Sequence, residues 1–169
     1  MDQPIPKVAL VMGSDSDYSE LTGCIKILKN FGIKVVVRVL SAHRTPNEAA
    51  EFAEKATEEG FQVIIAAAGK AAHLAGAMAA HTTLPVIGIP GKSSHLGGIE
   101  ALLSTVEMPK GIPVATVAIG GGENAAILAT EMLALCYPDL TAKLIEARGQ
   151  MRRDIAIADA EIQRKAAEL

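Results

Sequence analysis

Short apolar runs alternate along this chain with segments of helical spacing, and this alternation constrains the fold more than any other feature. The runs are rich in β-branched residues, which favour strands. We predict five strands from them, at 7–12, 33–40, 61–68, 85–89 and 114–119. Strands that alternate with helices indicate βαβ units and a parallel sheet. Since such crossovers are right-handed, the pattern predicts an α/β fold, a three-layer αβα sandwich.

The segments between these runs carry apolar residues three or four positions apart, as helices do. We predict helices over 19–31, 47–59, 75–81, 99–106, 124–135 and 140–167. Gly32 and Gly60 are expected to end the first two, and Asn47 to cap the second. The last segment is long and polar at its ends, so we expect it to reach beyond the core.

The composition narrows the classes of function. Lys plus Arg number 16 and Asp plus Glu 19, a net charge of −3, which argues against a nucleic-acid binder. No apolar run is long enough for a membrane span, and residues 1–4 lack the features of a signal peptide. The two cysteines form no disulfide framework, which favours the cytoplasm. With no Trp and three Phe, the chain is expected to share part of its core with other copies of itself.

Polar side chains follow each of the first four predicted strands at its carboxyl end. In open α/β sheets, ligands bind outside the carboxyl ends of the strands. We therefore predict that these side chains surround one site. They are Ser14, Ser16 and Asp17, then Ser41, His43 and Arg44, then Gly69, Lys70 and His73, and finally Ser93, Ser94 and His95.

The segment 13–17 joins the first strand to the first helix. Gly13 is expected to take a positive φ, and the Ser hydroxyls with backbone N–H groups can bind a phosphate at the helix start. The Asp17 carboxylate suits ribose hydroxyls. The segment is neither G-x-G-x-x-G nor a Walker A motif, so dinucleotide and ATP sites lack support. The alternative is that Ser and Asp only cap the helix.

The segment 41–46, with the sequence SAHRTP, is the most distinctive cluster. Arg44 can hold a phosphate through two parallel N–H bonds, and His43 can carry a proton near neutral pH. Pro46 stiffens the loop and thereby directs both side chains. The alternative is a solvent-exposed turn with an incidental histidine.

The segment 66–76 is apolar and built of small residues, so its backbone can approach a flat ring. Lys70 is the lone charge in it and could instead face solvent, while His73 could instead be an interior histidine. We expect His81 and His95 to be structural. No metal-binding motif is present, and the simplest inference is chemistry centred on one histidine, without metal or cofactor.

Four segments in order give the chain a family resemblance. GSDSD after the first strand, SAHRTP after the second, AAHL after the third and MPKGIPVATVAI around the fifth resemble the PurE family of purine biosynthesis. The similarity extends from about Val8 to Leu135. It implies a flavodoxin-like sheet and a single domain over 1–169, with its core at about 7–136. It further implies a homo-octamer, in which the C-terminal helix at about 140–167 packs on a neighbouring subunit.

The resemblance also implies the reaction and the roles of single residues. An N5-carboxyaminoimidazole ribonucleotide mutase converts N5-carboxyaminoimidazole ribonucleotide to 4-carboxy-5-aminoimidazole ribonucleotide without a cofactor, as a step of IMP biosynthesis. By position, His43 would be the general acid and base. The substrate-binding residues would be Ser14, Ser16, Asp17, Ser41, Arg44, Gly69, Lys70, Ala71, His73 and Leu74.

Two positions differ from the family pattern. Mutases of the family carry Gly in place of Lys70 and Pro in place of Ala75. The related carboxylases, which use free CO2, have a cation just after the Gly and usually Lys in place of Arg44. Lys70 could pair with the substrate carboxylate or point away from it.

Three other functions stay open. They are an aminoimidazole ribonucleotide carboxylase that uses CO2 directly, a diverged paralogue for another ribonucleotide, and a non-catalytic nucleotide-binding module. His43 beside Arg44 argues against the last, because binding alone would not need a titratable group next to the phosphate clamp.

Overall fold

The computed structural model describes residues 4–93 and 96–169, and it forms the predicted α/β sandwich. Its strands are β1 (Lys7–Met12), β2 (Lys34–Val39), β3 (Val63–Ala68), β4 (Val86–Pro90) and β5 (Ala115–Thr116). Its α-helices are α1 (Tyr18–Asn30), α2 (Pro46–Lys55), α3 (Leu74–Ala80), α4 (Ile99–Val106), α5 (Gly122–Ala134) and α6 (Pro138–Ala167). A single 3-10 turn, Asp15–Asp17, precedes α1.

The five strands form one parallel sheet in the order β2-β1-β3-β4-β5, as in a flavodoxin-like fold. In the register, Leu10 of β1 lies between Val37 of β2 and Ile65 of β3. Residues 8–12 of β1 are all buried, because helices cover both faces of the sheet. The prediction of a parallel, flavodoxin-like sheet is confirmed.

Alternate residues of the strands divide the core into two clusters, one on each face of the sheet. Val8, Leu10 and Met12 pack with the buried faces of α1 and α5. Ala9 and Val11 point the other way, toward α2 and α3. This period-2 alternation produces the three predicted layers.

Several element bounds differ from the sequence prediction. α2 begins at Pro46 with Thr45 at the N-cap, so the prediction that Asn47 caps it is wrong. Proline fits the first helical position because its missing N–H would have no partner there. β5 covers two residues rather than six. Gly32, with a φ of +83°, follows the end of α1 as predicted, whereas α2 already ends at Lys55, so the prediction that Gly60 ends it is wrong.

The C-terminal helix α6 extends away from the core. Leu140 is its one buried residue among those described, while Ile155, Ile157 and Ile162 are exposed. The thirty residues of α6 span about 45 Å at 1.5 Å per residue. No helix in the described part of the chain is both long and apolar enough to cross a membrane.

Candidate active site

The loops that follow β1, β2, β3 and β4 enclose a cavity of about 550 Å³ at the carboxyl edge of the sheet. Ten of the predicted site residues line it, namely Ser14, Ser16, Asp17, Ser41, His43, Arg44, Gly69, Lys70, Ala71 and Leu74. His73 is joined to the site by a hydrogen bond with His43. The structure thus brings eleven of the predicted residues together, whereas Ser93 is not among the residues that line the cavity, and Ser94 and His95 lie outside the described residues.

The loop after β1 is held by a capping box. The Ser14 hydroxyl accepts from the Ser16 N–H, and the Asp17 carboxylate accepts from the Ser14 N–H at 3.2 Å. The Ser16 hydroxyl lies 2.9 Å from the Ser14 hydroxyl. The Ser14 hydroxyl therefore caps the turn, and both serines line the cavity. Gly13 is not among the glycines with positive φ, so that prediction is wrong.

Asp17 lies half-buried at the floor of this loop. Burial raises the pKa of its carboxyl above the ordinary value, and the Ser14 N–H opposes that rise in part. A carboxylate in this position can accept two hydroxyl donors from a vicinal diol such as ribose. The geometry therefore suits the sugar-binding role that the sequence predicts for Asp17.

Arg44 ties the loops after β1 and β2 together. Its Nη2 donates to the Gly13 carbonyl at 2.6 Å, and its Nε donates to the Ser41 hydroxyl at 3.4 Å. The Ser41 hydroxyl also accepts from the Arg44 backbone N–H. Since a guanidinium carries five N–H donors, most of the fork stays available to an anion in the cavity.

His43 and His73 share a hydrogen bond of 2.8 Å between Nε2 of the first and Nδ1 of the second. Their rings meet edge to face, with centroids 5.0 Å apart. One ring must donate and the other must accept, so each tautomer is set by its neighbour. His73 is exposed rather than interior. The pair places a proton carrier directly beside the Arg44 clamp.

The loop after β3 gives the cavity an apolar wall. Ala68, Ala71 and Leu74 line it with small or aliphatic side chains. The backbone here packs tightly against the loop after β4, because a Cβ built on Gly91 would lie 3.0 Å from the Gly69 Cα. A flat ring can pack against this wall, whose side chains carry no hydrogen-bonding group.

Two lysines border the same cavity. Lys70 is exposed and has a φ of +56°. Lys92, in the loop after β4, also lines the cavity, and sequence analysis did not single it out as a site residue. The signal that could have found it is its position just past the end of a strand, where ligand-binding groups collect.

A larger open groove of about 980 Å³ lies at the opposite edge of the sheet, at the amino end of β4. It holds His81, whose Nδ1 lies 3.0 Å from Glu54 Oε1, and both side chains are exposed. The smaller cavity is the better candidate, because it collects the groups with catalytic chemistry at the ligand-binding edge. Among residues 4–93 and 96–169, no group of three or more His, Cys, Asp or Glu is placed to hold a metal ion.

Comparison with known proteins supplies independent findings. The family model described as AIR carboxylase matches residues 7–154. A protein of Saccharolobus solfataricus named N5-carboxyaminoimidazole ribonucleotide mutase is 50% identical over 151 residues, which cover 89% of this chain and 96% of that protein. A protein of the same name from Mycobacterium tuberculosis H37Rv is 48% identical over 164 residues, 97% of this chain and 94% of that one.

The same comparison extends to solved structures. The crystal structure of Treponema denticola PurE superposes with a TM-score of 0.83 at 26% identity. The match covers 92% of this chain and 98% of that chain. The two chains therefore share one fold over most of their length.

Proposed function

The chain belongs to the AIR carboxylase family, the PurE family that its motifs resemble, and we propose that it is an isomerase, an N5-carboxyaminoimidazole ribonucleotide mutase. Relatives of that name share about half of its residues over most of its length. The observation that carries the proposal is the convergence of His43 and Arg44 on one cavity, beside the apolar wall after β3. A phosphate clamp, a proton carrier and a surface for a flat ring are what this substrate needs.

The ribose phosphate is bound at the end of the cavity formed by the loops after β1 and β2. The free N–H groups of Arg44 take the phosphate, with the Ser14 and Ser41 hydroxyls beside them. The Asp17 carboxylate accepts from the ribose hydroxyls. Ser16 keeps the loop closed through its bond to Ser14. The sugar phosphate is thereby fixed while the base reacts.

The base reacts beside His43. The bond between the exocyclic nitrogen and the carboxyl carbon breaks, its electron pair stays on nitrogen, and CO2 is released. His43 donates a proton to that nitrogen. C4 of the ring then attacks CO2, and the C4 proton returns to His43. One proton is given and one is recovered, so the steps need no other reactant and no cofactor.

The apolar wall keeps the released CO2 at the ring. Ala68, Ala71 and Leu74 offer it no hydrogen-bond donors from their side chains. A wet cavity would let CO2 hydrate or escape, whereas a dry one holds it within reach of C4. Gly69, at the contact between the two loops, brings the backbone close to the base.

A substrate comparison tests the proposal. The protein is mixed with the N5-carboxylated nucleotide, or with the uncarboxylated nucleotide plus bicarbonate, and C4 carboxylation is followed. Rapid conversion of the first alone is expected. Faster reaction from the uncarboxylated nucleotide would instead identify a carboxylase that uses CO2. Tight binding with no conversion of either would identify a binding module.

The enzyme acts as a homo-octamer whose subunits meet through α6. Support comes from the exposed apolar side chains of that helix, with Ile145, Ile155, Ile157 and Ile162 all more than half exposed. One chain has a mass of 17.6 kDa. Light scattering is expected to give about eight times that mass, and a value equal to one chain would contradict the assembly.

We further place the enzyme in the cytoplasm, with small ribonucleotides rather than nucleic acids or membranes as its partners. The support is a net charge of −3 and a content of only two cysteines, too few for the disulfide framework of a secreted domain. Cell fractionation tests the location, and duplex-binding assays test the absence of nucleic-acid affinity.

A further inference from the structure

Two lysines at the cavity, Lys70 and Lys92, have no role in the steps described above. We propose that they form a second anion subsite, which binds the carboxylate carried by the base and so selects carboxylated over uncarboxylated nucleotides. This inference rests on the proposed function and deepens it by assigning residues that determine substrate specificity. Its evidence is the placement, the backbone conformation and the free charges of the two lysines.

The topology places these lysines across the cavity from Arg44. Arg44 follows β2, Lys70 follows β3 and Lys92 follows β4, while β1 lies between β2 and β3. Neighbouring strands are about 4.8 Å apart, so β2 and β4 are separated by roughly 14 Å. Positive charge therefore flanks both ends of the cavity, at a spacing that suits a ligand with an anion at each end.

The backbone of Lys70 is strained. Among the residues that the structure describes, it is the one non-glycine residue with positive φ, at +56°. A side chain in this left-handed region costs about 1–2 kcal/mol relative to the usual conformation. Such strain concentrates at binding sites, where the direction of a side chain matters. A glycine would adopt this left-handed conformation without strain. The presence of a lysine instead points to a use for its charge.

Neither lysine is neutralised by the described part of the protein. No hydrogen bond or ion pair joins Lys70 or Lys92 to another described residue, whereas Lys55 and Lys165 are each paired with a glutamate. The stem of Lys92 lies over Gly120, with its Cε 3.2 Å from the place of a Cβ there. Lys92 thus borders the cavity, and its ammonium group has no partner among residues 4–93 and 96–169.

The charge of the lining residues agrees with a ligand that carries a phosphate at one end and a carboxylate at the other. Arg44, Lys70 and Lys92 contribute +3 and Asp17 contributes −1 when ionised, so the lining carries +2. The phosphate occupies the Arg44 end, which leaves the lysine end for the carboxylate on the base. Both substrate and product carry this carboxylate, so the lysines increase the affinity for the two alike rather than the rate of the chemical step.

Binding measurements with paired nucleotides test the subsite. The ligands are the 4-carboxylated and the uncarboxylated aminoimidazole ribonucleotides, and the proteins are Lys70→Gln, Lys92→Gln and the double variant. Lys34→Gln is the matched control, since Lys34 is an exposed lysine at the opposite edge of the sheet. Each single change is expected to weaken the carboxylated ligand about three- to tenfold and leave the other ligand unchanged. The difference should shrink at about 0.5 M salt.

The outcomes separate the two proposals. If the wild type interconverts the nucleotides but the double variant keeps the full preference for the carboxylated one, the subsite is wrong and the mutase stands. Equal weakening of both ligands would also overturn the subsite, because it would reflect a general change of the cavity. A wild type that binds neither nucleotide would overturn both. Lys70→Gly, which removes the strained side chain, should show the same selective loss as Lys70→Gln.

Discussion

Nε2 of His43 lies 2.8 Å from Nδ1 of His73, although the two residues come from loops on either side of β1. As long as this hydrogen bond is present, the two rings together carry two N–H protons when both are neutral and three when one of them is positively charged. A second positive charge would force both facing nitrogens to donate and would break the bond. The pair can therefore take up and release one proton with no change of position, as the proposed reaction requires.

His43→Asn is expected to lower interconversion by about 10²-fold or more, because the reaction loses its proton carrier. Ligand affinity should stay close to that of the wild type, since the phosphate clamp is intact. Steady-state kinetics and calorimetry check the two quantities. Unchanged turnover would dismiss His43 as the acid and base.

His73→Ala is expected to lower kcat about tenfold, because His43 loses the partner that sets its tautomer. His73→Asn, which can keep a hydrogen-bonding atom near the position of Nδ1, should recover part of the rate. The measurement is kcat for the three proteins, and a fall in rate with no recovery by asparagine would leave His73 only a structural role.

Arg44→Ala is expected to weaken the phosphorylated ligand by about 10²-fold, because a charged fork and its bonds are lost. Arg44→Lys keeps the charge but loses the planar set of N–H donors. Its affinity for the phosphorylated ligand should therefore lie between those of the wild type and Arg44→Ala. Arg38, exposed on β2, offers a control through Arg38→Ala. The wild type must prefer nucleotide to nucleoside for this role to hold.

Lys70→Gly is expected to make the folded chain slightly more stable, by about 0–1 kcal/mol. Relief of the left-handed strain outweighs the larger entropy of glycine in the unfolded chain. Lys70→Ala keeps the strain and should give no gain. Urea unfolding measures the stability of the wild type, Lys70→Gly and Lys70→Ala. An equal gain in stability for both variants would show that backbone strain at Lys70 is not the cause.

Burial raises the pKa of the Cys24 thiol to about 12, from an ordinary value of 9.0. Above pH 9 the unfolded chain loses this proton while the folded chain keeps it, so the thiol favours unfolding there. Between about pH 9 and 10 the free energy of unfolding should fall by about 1 kcal/mol more for the wild type than for Cys24→Ala. Parallel curves for the two proteins would contradict this.

The layered fold could be predicted from the sequence because burial on both faces leaves a clear pattern in β1 and β3. β5 could not be delimited, since only Ala115 and Thr116 form its ladder although apolar residues continue beyond them. The start of α2 was placed wrongly because Thr45, not Asn47, occupies the cap. The Thr45 hydroxyl accepts from the Ser41 N–H at 2.9 Å, a bond that local propensity does not encode.

The candidate site was predictable to the extent that strand ends mark it. Each loop could be assigned to the carboxyl edge from its position in the chain, and ten of the predicted residues line one cavity there. The bond between His43 and His73 could not be foreseen, because it depends on strand order. Nor could the positive φ of Lys70, since a lysine rarely adopts that conformation and its residue type therefore gives no signal of it.

The strand order of the sheet brings Arg44, Lys70 and Lys92 to one cavity, and each of them lies in a different loop between a strand and a helix. Single substitutions at Lys70 or Lys92 can thus change the selectivity for the base of the ligand. They leave phosphate binding by Arg44 and the packing of the core unchanged. In such an architecture, neighbouring activities of one family are separated by a few exchanges at the rim rather than by a new scaffold.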